Sequence, residues 1–316
     1  MIVSAFLAPA GETSLRAVVD AARALEAADV SAAGVLDAAD TGGDAGLFES
    51  TTAAARIAVE TSEIGVVAAN SSLYGFPYHA ARRLSTVDHL SGGRSGWLMR
   101  TGTAPGETTA YDWRSAFGRG EELHRSAEYA EIARELWDSW EDGAQWPDKE
   151  SGDFKDDSRI RKIGYRSTSF LVDGPLDVPP SPQRRPVIFT PVTTAQEAVY
   201  LARYSDVMIV AAPNEATAQV LAETLATAES APLVLIAGSV DGTRPAGSGV
   251  LPAARAVSLA GTLGVAGVAL YMTPEAAGAA AALVGGLATT GPRSGSGTLA
   301  ARLGIESDFA LGGIAQ

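Results

Sequence analysis

The feature that most limits what this chain can become is the repetition of one pattern: a short apolar run, a turn, then a helix with one apolar face. Its clearest instance is Phe76 to Thr101, FPYHAARRLSTVDHLSGGRSGWLMRT. Pro77 suits a first helical turn, and Ala80, Leu84, Val87 and Leu90 recur at helical spacing. Gly92-Gly93 stops the helix, and an apolar strand from Gly96 to Arg100 follows at once. Upstream, Ile2 to Leu7 reads as a strand, and Ser14 caps a helix carrying Leu15, Val18, Val19, Ala22 and Leu25. A strand at 32–36, a helix at 48–59 and a strand at 64–69 come next, and a long helix is expected over 112–140. After residue 182 the alternation resumes, with strands at 187–190, 207–211, 233–237 and 265–270, and helices at 194–204, 214–226, 252–259 and 274–287. Such alternation with short connections predicts an α/β fold, a parallel sheet wrapped by helices. The count of eight and the even spacing favour a closed (β/α)8 TIM barrel over an open doubly wound sheet, as one domain spanning residues 1–316.

Two stretches break the rhythm. Residues 141–182 are rich in Asp, Lys, Gly and Pro, with scattered apolar residues such as Phe154, Ile160, Tyr165 and Phe170. An irregular excursion of this length inside a compact domain predicts an insertion after strand four that acts as a lid. A Gly/Ser-rich tail, 291–316, carries one short closing helix.

Composition removes several function classes. The net charge is −13, with 24 Lys and Arg against 37 Asp and Glu, so nucleic acid is not an expected partner. Cysteine is absent, which excludes thiol catalysis and disulfide scaffolds and fits a cytoplasmic location. The N-terminal residues lack a basic leader, and no apolar run is long enough to span a bilayer, so no membrane association is expected. Three histidines are too few and too spread for a usual zinc site, and Gly-x-Ser-x-Gly, Walker and His-Glu-x-x-His motifs are missing. Gly295 to Ala300 spells Gly-x-Gly-x-x-Ala, but with no strand before it this reads as a hinge and helix start.

A barrel builds its site at the carboxyl ends of its strands. Here those ends offer Asp37, Ser71 with Ser72, Arg100 with Thr101, and Thr193 with Thr194. Hydroxyls and free N–H groups at a helix start, as at Thr193-Thr194, suit a phosphate.

The wording of the 76–101 stretch closely resembles the luciferase-like flavin monooxygenases. It combines a Pro-Tyr-His start, Ala-Arg-Arg, Thr-x-Asp-His-Leu-Ser-Gly-Gly-Arg and Gly-Trp, and looks most like the branch holding nitrilotriacetate and dibenzothiophene-sulfone monooxygenases. Further similarity lies in 48–96, 127–143 and 172–187, and in the closing TLAARLGIESD. The resemblance implies a two-component monooxygenase: an oxidoreductase that receives reduced, weakly bound FMN from a separate flavin reductase, acts on a small organic substrate and pairs as a homodimer. It places the flavin ring near Ser71, Ser72 and Thr101 and the phosphate near Thr193 and Thr194, with Asp37 and Arg100 as further cofactor-binding candidates, Arg100 either contacting the phosphate or filling the ring's place, and His124 as the catalytic candidate. Phe6, Leu36, Tyr74, Phe76 and Trp97 would form the apolar wall.

The chain also departs from that pattern. After Gly96-Trp97 it reads Leu98-Met99-Arg100-Thr101-Gly102 where the family reads Asn-Val-Val-Thr-Ser, and Tyr111-Asp112-Trp113 replaces Asn-Phe-Gly. Glu197 occupies the first turn of the phosphate-binding helix, where a carboxylate competes with a bound anion. A second reading therefore stands beside the first: a flavin-free barrel acting as a non-catalytic partner subunit or a small-ligand binder.

Overall fold

The computed structural model describes residues 1–37, 40, 48–104, 107–111, 117–145, 150–244, 249–287 and 297–305. Eight parallel strands form its centre: β1 (Ile2–Leu7), β2 (Ala32–Val35), β3 (Gly65–Ser71), β4 (Ser95–Arg100), β5 (Val187–Val192), β6 (Val207–Val210), β7 (Leu233–Ser239) and β8 (Gly267–Met272). Each pairs with its neighbours in chain order, and β8 pairs with β1 over Ile2–Leu7 against Gly267–Met272, so the sheet closes as the expected barrel. Around it lie α1 (Leu15–Ala27), α2 (Ser50–Glu60), α3 (Pro77–Ser91), α4 (Arg119–Trp137), α5 (Ala195–Leu201), α6 (Glu215–Ala226), α7 (Ala253–Leu263) and α8 (Ala277–Gly285). A short α9 (Leu299–Leu303) follows.

Local chemistry sets the boundaries. Ser14 accepts from the Ala17 N–H to start α1, Pro77 opens α3, and Gly92 ends it at φ 66°, a conformation that costs glycine little. The long helix expected from residue 112 begins at Arg119, where the Glu121 carboxylate caps the Gly118 N–H at 2.9 Å. Glu107–Ala110 forms a separate helical turn, and Asp112 and Trp113 lie outside the described residues. Leu90, expected on the inner face of α3, is exposed.

The two-residue period of the strands divides the apolar residues into two cores. Phe6, Val67, Ala69, Leu98, Phe189, Ile209, Leu235 and Tyr271 fill the barrel, while Trp97, Met99, Ile188 and Val210 face the helices. Inside, Phe6 stacks on Tyr271 at 5.3 Å and meets Phe189 edge-on at 6.3 Å. Room for these rings comes from Gly34 and Gly96, where an added Cβ would lie 2.5 Å from the Phe6 ring and 2.9 Å from that of Phe189. The amino-terminal end of the barrel is closed by α9, whose Leu299 and Leu303 are buried and whose Leu299 N–H donates to the Gly93 carbonyl at 2.8 Å.

Two members of the expected wall sit elsewhere. Trp97 points outward onto Tyr129 and donates its indole N–H to the Asn70 carbonyl, and Phe76 is 70% exposed. The 141–182 excursion, apart from 146–149, is described, and it is strapped to α3 and α4. Arg82 pairs with Asp177 at 2.8 Å, Trp140 donates to the Leu176 carbonyl at 2.7 Å, and Phe170 lies 4.1 Å beneath the Arg125 guanidinium. Among the described residues no helix is long and apolar enough to cross a membrane.

Candidate functional site

Strand periodicity decides which groups enter the mouth at the carboxyl ends. Counting by twos from the interior Leu98 and Ala69 brings Arg100 and Ser71 inward and turns Thr101 and Ser72 away. Ser72 Oγ donates to the Arg100 carbonyl at 2.9 Å and lies 2.8 Å from Ser126 Oγ on α4. Ser71 Oγ accepts from the Leu73 and Tyr74 N–H groups, which shapes the turn after β3. Thr101 is buried, and its carbonyl accepts from Arg119 at 2.8 Å. The mouth gathers Ser71 and Arg100, with the charge of Asp37 close enough to act on Arg100, while Ser72 and Thr101 support it from behind.

Arg100 makes the most contacts there. Nη1 and Nη2 fork onto the Glu107 carboxylate at 2.7 and 2.5 Å, and Nη1 also donates to the Gly102 carbonyl. Nε lies 2.9 Å from Asp40 Oδ1, though without hydrogen-bond alignment. Both acids are buried. Burial works against the charge of Arg100, but Glu107 and Asp40 outweigh it and hold the guanidinium more firmly protonated than usual. Asp40 fares differently: burial pushes its carboxyl up to about 6 despite the nearby cation. Tyr271 lies beneath this cluster, fully buried, with no hydrogen-bond partner for its hydroxyl among the described residues. Burial, and secondly the charge of Asp40, raise its hydroxyl further above the usual tyrosine range.

A second network runs from the Thr193 end to the aromatic rim. The Glu197 carboxylate folds back and accepts from the Thr193 N–H at 2.7 Å and from its hydroxyl, while Arg119 pairs with the same carboxylate at 2.7 Å. Burial raises the Glu197 carboxyl, but the Thr193 N–H and Arg119 together leave it below the ordinary range. Thr194 caps α5 by accepting from the Glu197 N–H at 3.2 Å. Arg119 also pairs with Glu122, which accepts from the Thr103 N–H and hydroxyl. Thr103 lies 3.2 Å from the Tyr74 hydroxyl, and the Tyr74 ring stacks on Tyr111 at 4.9 Å.

These contacts test the expected FMN seat. A phosphate at Thr193-Thr194 needs the Thr193 N–H and a nearby cation, and Glu197 already holds both. A phosphate there would have to compete with the Glu197 carboxylate for the Thr193 N–H and Arg119. His124 lies outside the mouth cluster. It is exposed on α4, 3.3 Å from the Tyr200 hydroxyl of α5 and 3.7 Å from Glu128. Among the described residues no group of three or more His, Asp or Glu side chains could hold a metal ion.

Asp40, Glu107 and Arg119 carry no signal in the sequence, because Asp40 lies in a connection, Glu107 opens a single helical turn and Arg119 is the first residue of α4, where no apolar period operates. Tyr271 lies near the end of β8 and Glu122 in the first turn of α4. The doublet of Arg100 and Glu197, each departing from the family wording, was the readable warning.

The family model for luciferase-like monooxygenases matches residues 3–239. The chain belongs to this family. Dibenzothiophene-sulfone monooxygenase of Rhodococcus erythropolis is 31% identical over 167 residues, covering 53% of this chain and 37% of that one. A pristinamycin IIA synthase subunit of Streptomyces pristinaespiralis is 33% identical over 175 residues, covering 55% of this chain and 57% of the relative. The chain thus spans about a third to somewhat over half the length of such curated relatives. DmoA from Hyphomicrobium sulfonivorans shares the fold with a TM-score of 0.80 at 17% identity, covering 98% of this chain and 93% of the other. The family expected from the 76–101 stretch and the barrel expected from the eightfold alternation are therefore correct.

Proposed function

We propose that this chain serves a luciferase-like monooxygenase as a barrel subunit that does not itself seat flavin phosphate. The observation that carries this reading is the Glu197 carboxylate on the Thr193 N–H, paired with Arg119 where a phosphate would need that donor and cation. Two pristinamycin IIA synthase subunits are relatives of this chain, which is consistent with such a division of labour. Calorimetric titration with oxidised and with reduced FMN tests it. Wild type should show no saturable binding at micromolar flavin, whereas Glu197→Gly should bind about ten- to a hundredfold more tightly, and Thr193→Ala made in that background should lose the gain. Stoichiometric micromolar binding by the wild type would overturn the proposal.

A second reading has its own support: a two-component, FMN-dependent monooxygenase in the cytoplasm, acting on a small organic substrate with flavin reduced elsewhere. Family membership favours it, as does the Tyr271 hydroxyl, which has no hydrogen-bond partner among the described residues, beneath an inward-facing Ser71 and Arg100. Tight binding of reduced FMN by the wild type, with oxygen consumption on adding a reductase, would select it.

A further inference from the structure

Tyr271 is one residue from the carboxyl end of β8, and its side chain enters the barrel. Packing fixes the ring. It stacks on Phe6 at 5.3 Å, Phe6 meets Phe189 edge-on at 6.3 Å, and all three side chains are fully buried. A phenylalanine would make the same ring contacts. The hydroxyl adds nothing to this core, because it is buried and no group among the described residues bonds to it. Buried tyrosine hydroxyls are ordinarily paired, and one left in apolar surroundings lowers stability.

Its surroundings limit what could pair with it. Phe6, Leu36, Ala69, Leu98 and Phe189 share its buried cluster, so a charged ligand brought among them would lose its hydration without recompense. Arg100 at the same mouth is already forked onto Glu107 at 2.7 and 2.5 Å and offers an incoming anion no free cation. Burial holds the Tyr271 hydroxyl above the usual tyrosine range, so it keeps its proton and acts as a donor. We propose that the Tyr271 hydroxyl is a donor kept for a ligand, a small uncharged molecule with a carbonyl-type oxygen on an apolar body, seated at the carboxyl end of the barrel. Tyr271 thereby gives a chemical class to the small organic substrate of the monooxygenase reading, and its use rests on that reading.

Cyclohexanone and methylenecyclohexane share a shape and differ in the acceptor oxygen, and both can be titrated into the whole protein without flavin. Ligand-observed NMR should show saturable binding of the ketone by the wild type. In Tyr271→Phe the ketone should bind roughly three- to tenfold more weakly, while the hydrocarbon binds as before. The urea midpoint of the variant should stay at or above that of the wild type, since the lost hydroxyl has no partner among the described residues. A lower midpoint, or a variant that does not fold, would mean that the protein itself holds the hydroxyl, and overturns the proposal. So does an absence of saturable ketone binding, a ketone affinity unchanged in Tyr271→Phe, or an equal fall for ketone and hydrocarbon. Oxygen consumption with reduced FMN and a reductase judges the monooxygenase reading separately, so success there with failure of the ketone titration strikes the role of Tyr271 alone.

Discussion

Asp88 is fully buried, yet it accepts from the Ser95 N–H at 3.1 Å, the Gln183 N–H at 2.8 Å and the Gln183 side-chain amide at 2.6 Å. It ties the end of α3 to the start of β4 and to the segment entering β5. Six residues on, Arg94 donates to the carbonyls of Ala58, Thr61, Ile64 and Ser91, closing the α2–β3 connection. The most recognisable wording in the chain, Thr86 to Trp97, is thus a set of internal fastenings and not a set of reacting groups. We predict that Asp88→Ala lowers unfolding free energy by about 3 kcal/mol or more, because three buried donors lose their acceptor. Urea unfolding checks this, and a loss below about 1 kcal/mol would show that the donors find other partners. At this scale the sequence was legible for identity and much less so for role. Arg100 could be read as a foreign cation from its place after Gly96-Trp97, but its partners Asp40 and Glu107 lie in connections whose paths depend on the closed barrel.

Among the elements, strands and helices were legible because burial imposes a period on them, and the errors fell where no period operates. At Gly118 the sequence has no Ser, Thr, Asp or Asn to mark a helix start, so a helix from 112 is the natural reading, whereas α4 begins at Arg119 after the Gly118 cap. Trp97 reads as a wall residue because the interior and exterior faces of a fully buried strand are both apolar, so composition cannot tell them apart. The short α9 shows what an element contributes beyond its length. An added Cβ at Gly65 would lie 2.6 Å from a Leu299 methyl, and Gln183 Oε1 accepts from the Ala300 N–H at 2.9 Å, so this five-residue helix plugs the amino-terminal end of the barrel. Leu299→Ala should therefore cost about 2–5 kcal/mol through the cavity it leaves. Thermal unfolding of the variant checks this. A shift no larger than that of an exposed α9 substitution such as Ala301→Ser would show that the plug is dispensable.

At the scale of the whole molecule, the outer face at α1 and α2 is suited to contact with another chain. Between α1 and α2 lies a groove of about 250 Å³ lined by Leu15, Val19, Arg16, Arg23, Arg56 and Glu60, and Val59 on the same helix as Arg56 is 57% exposed. The arginines are already paired, Arg16 with Asp20 and Arg23 and Arg56 with Glu60, so approach of another chain does not strand an isolated charge. A stable pair needs roughly 1,200–2,000 Å² of buried surface, which two helices per partner can supply. We therefore predict self-association through α1 and α2, with a mass in light scattering at micromolar concentration of twice 32.4 kDa. Val59→Asp would place a carboxylate in the contact and should return the protein to 32.4 kDa without altering its circular dichroism. A wild type that scatters as a monomer would remove the homodimer. In that case the same face becomes the place to look for a different luciferase-like barrel, and co-expression with a flavin-bearing homologue, with Val59→Asp as the control, decides whether the subunit reading survives.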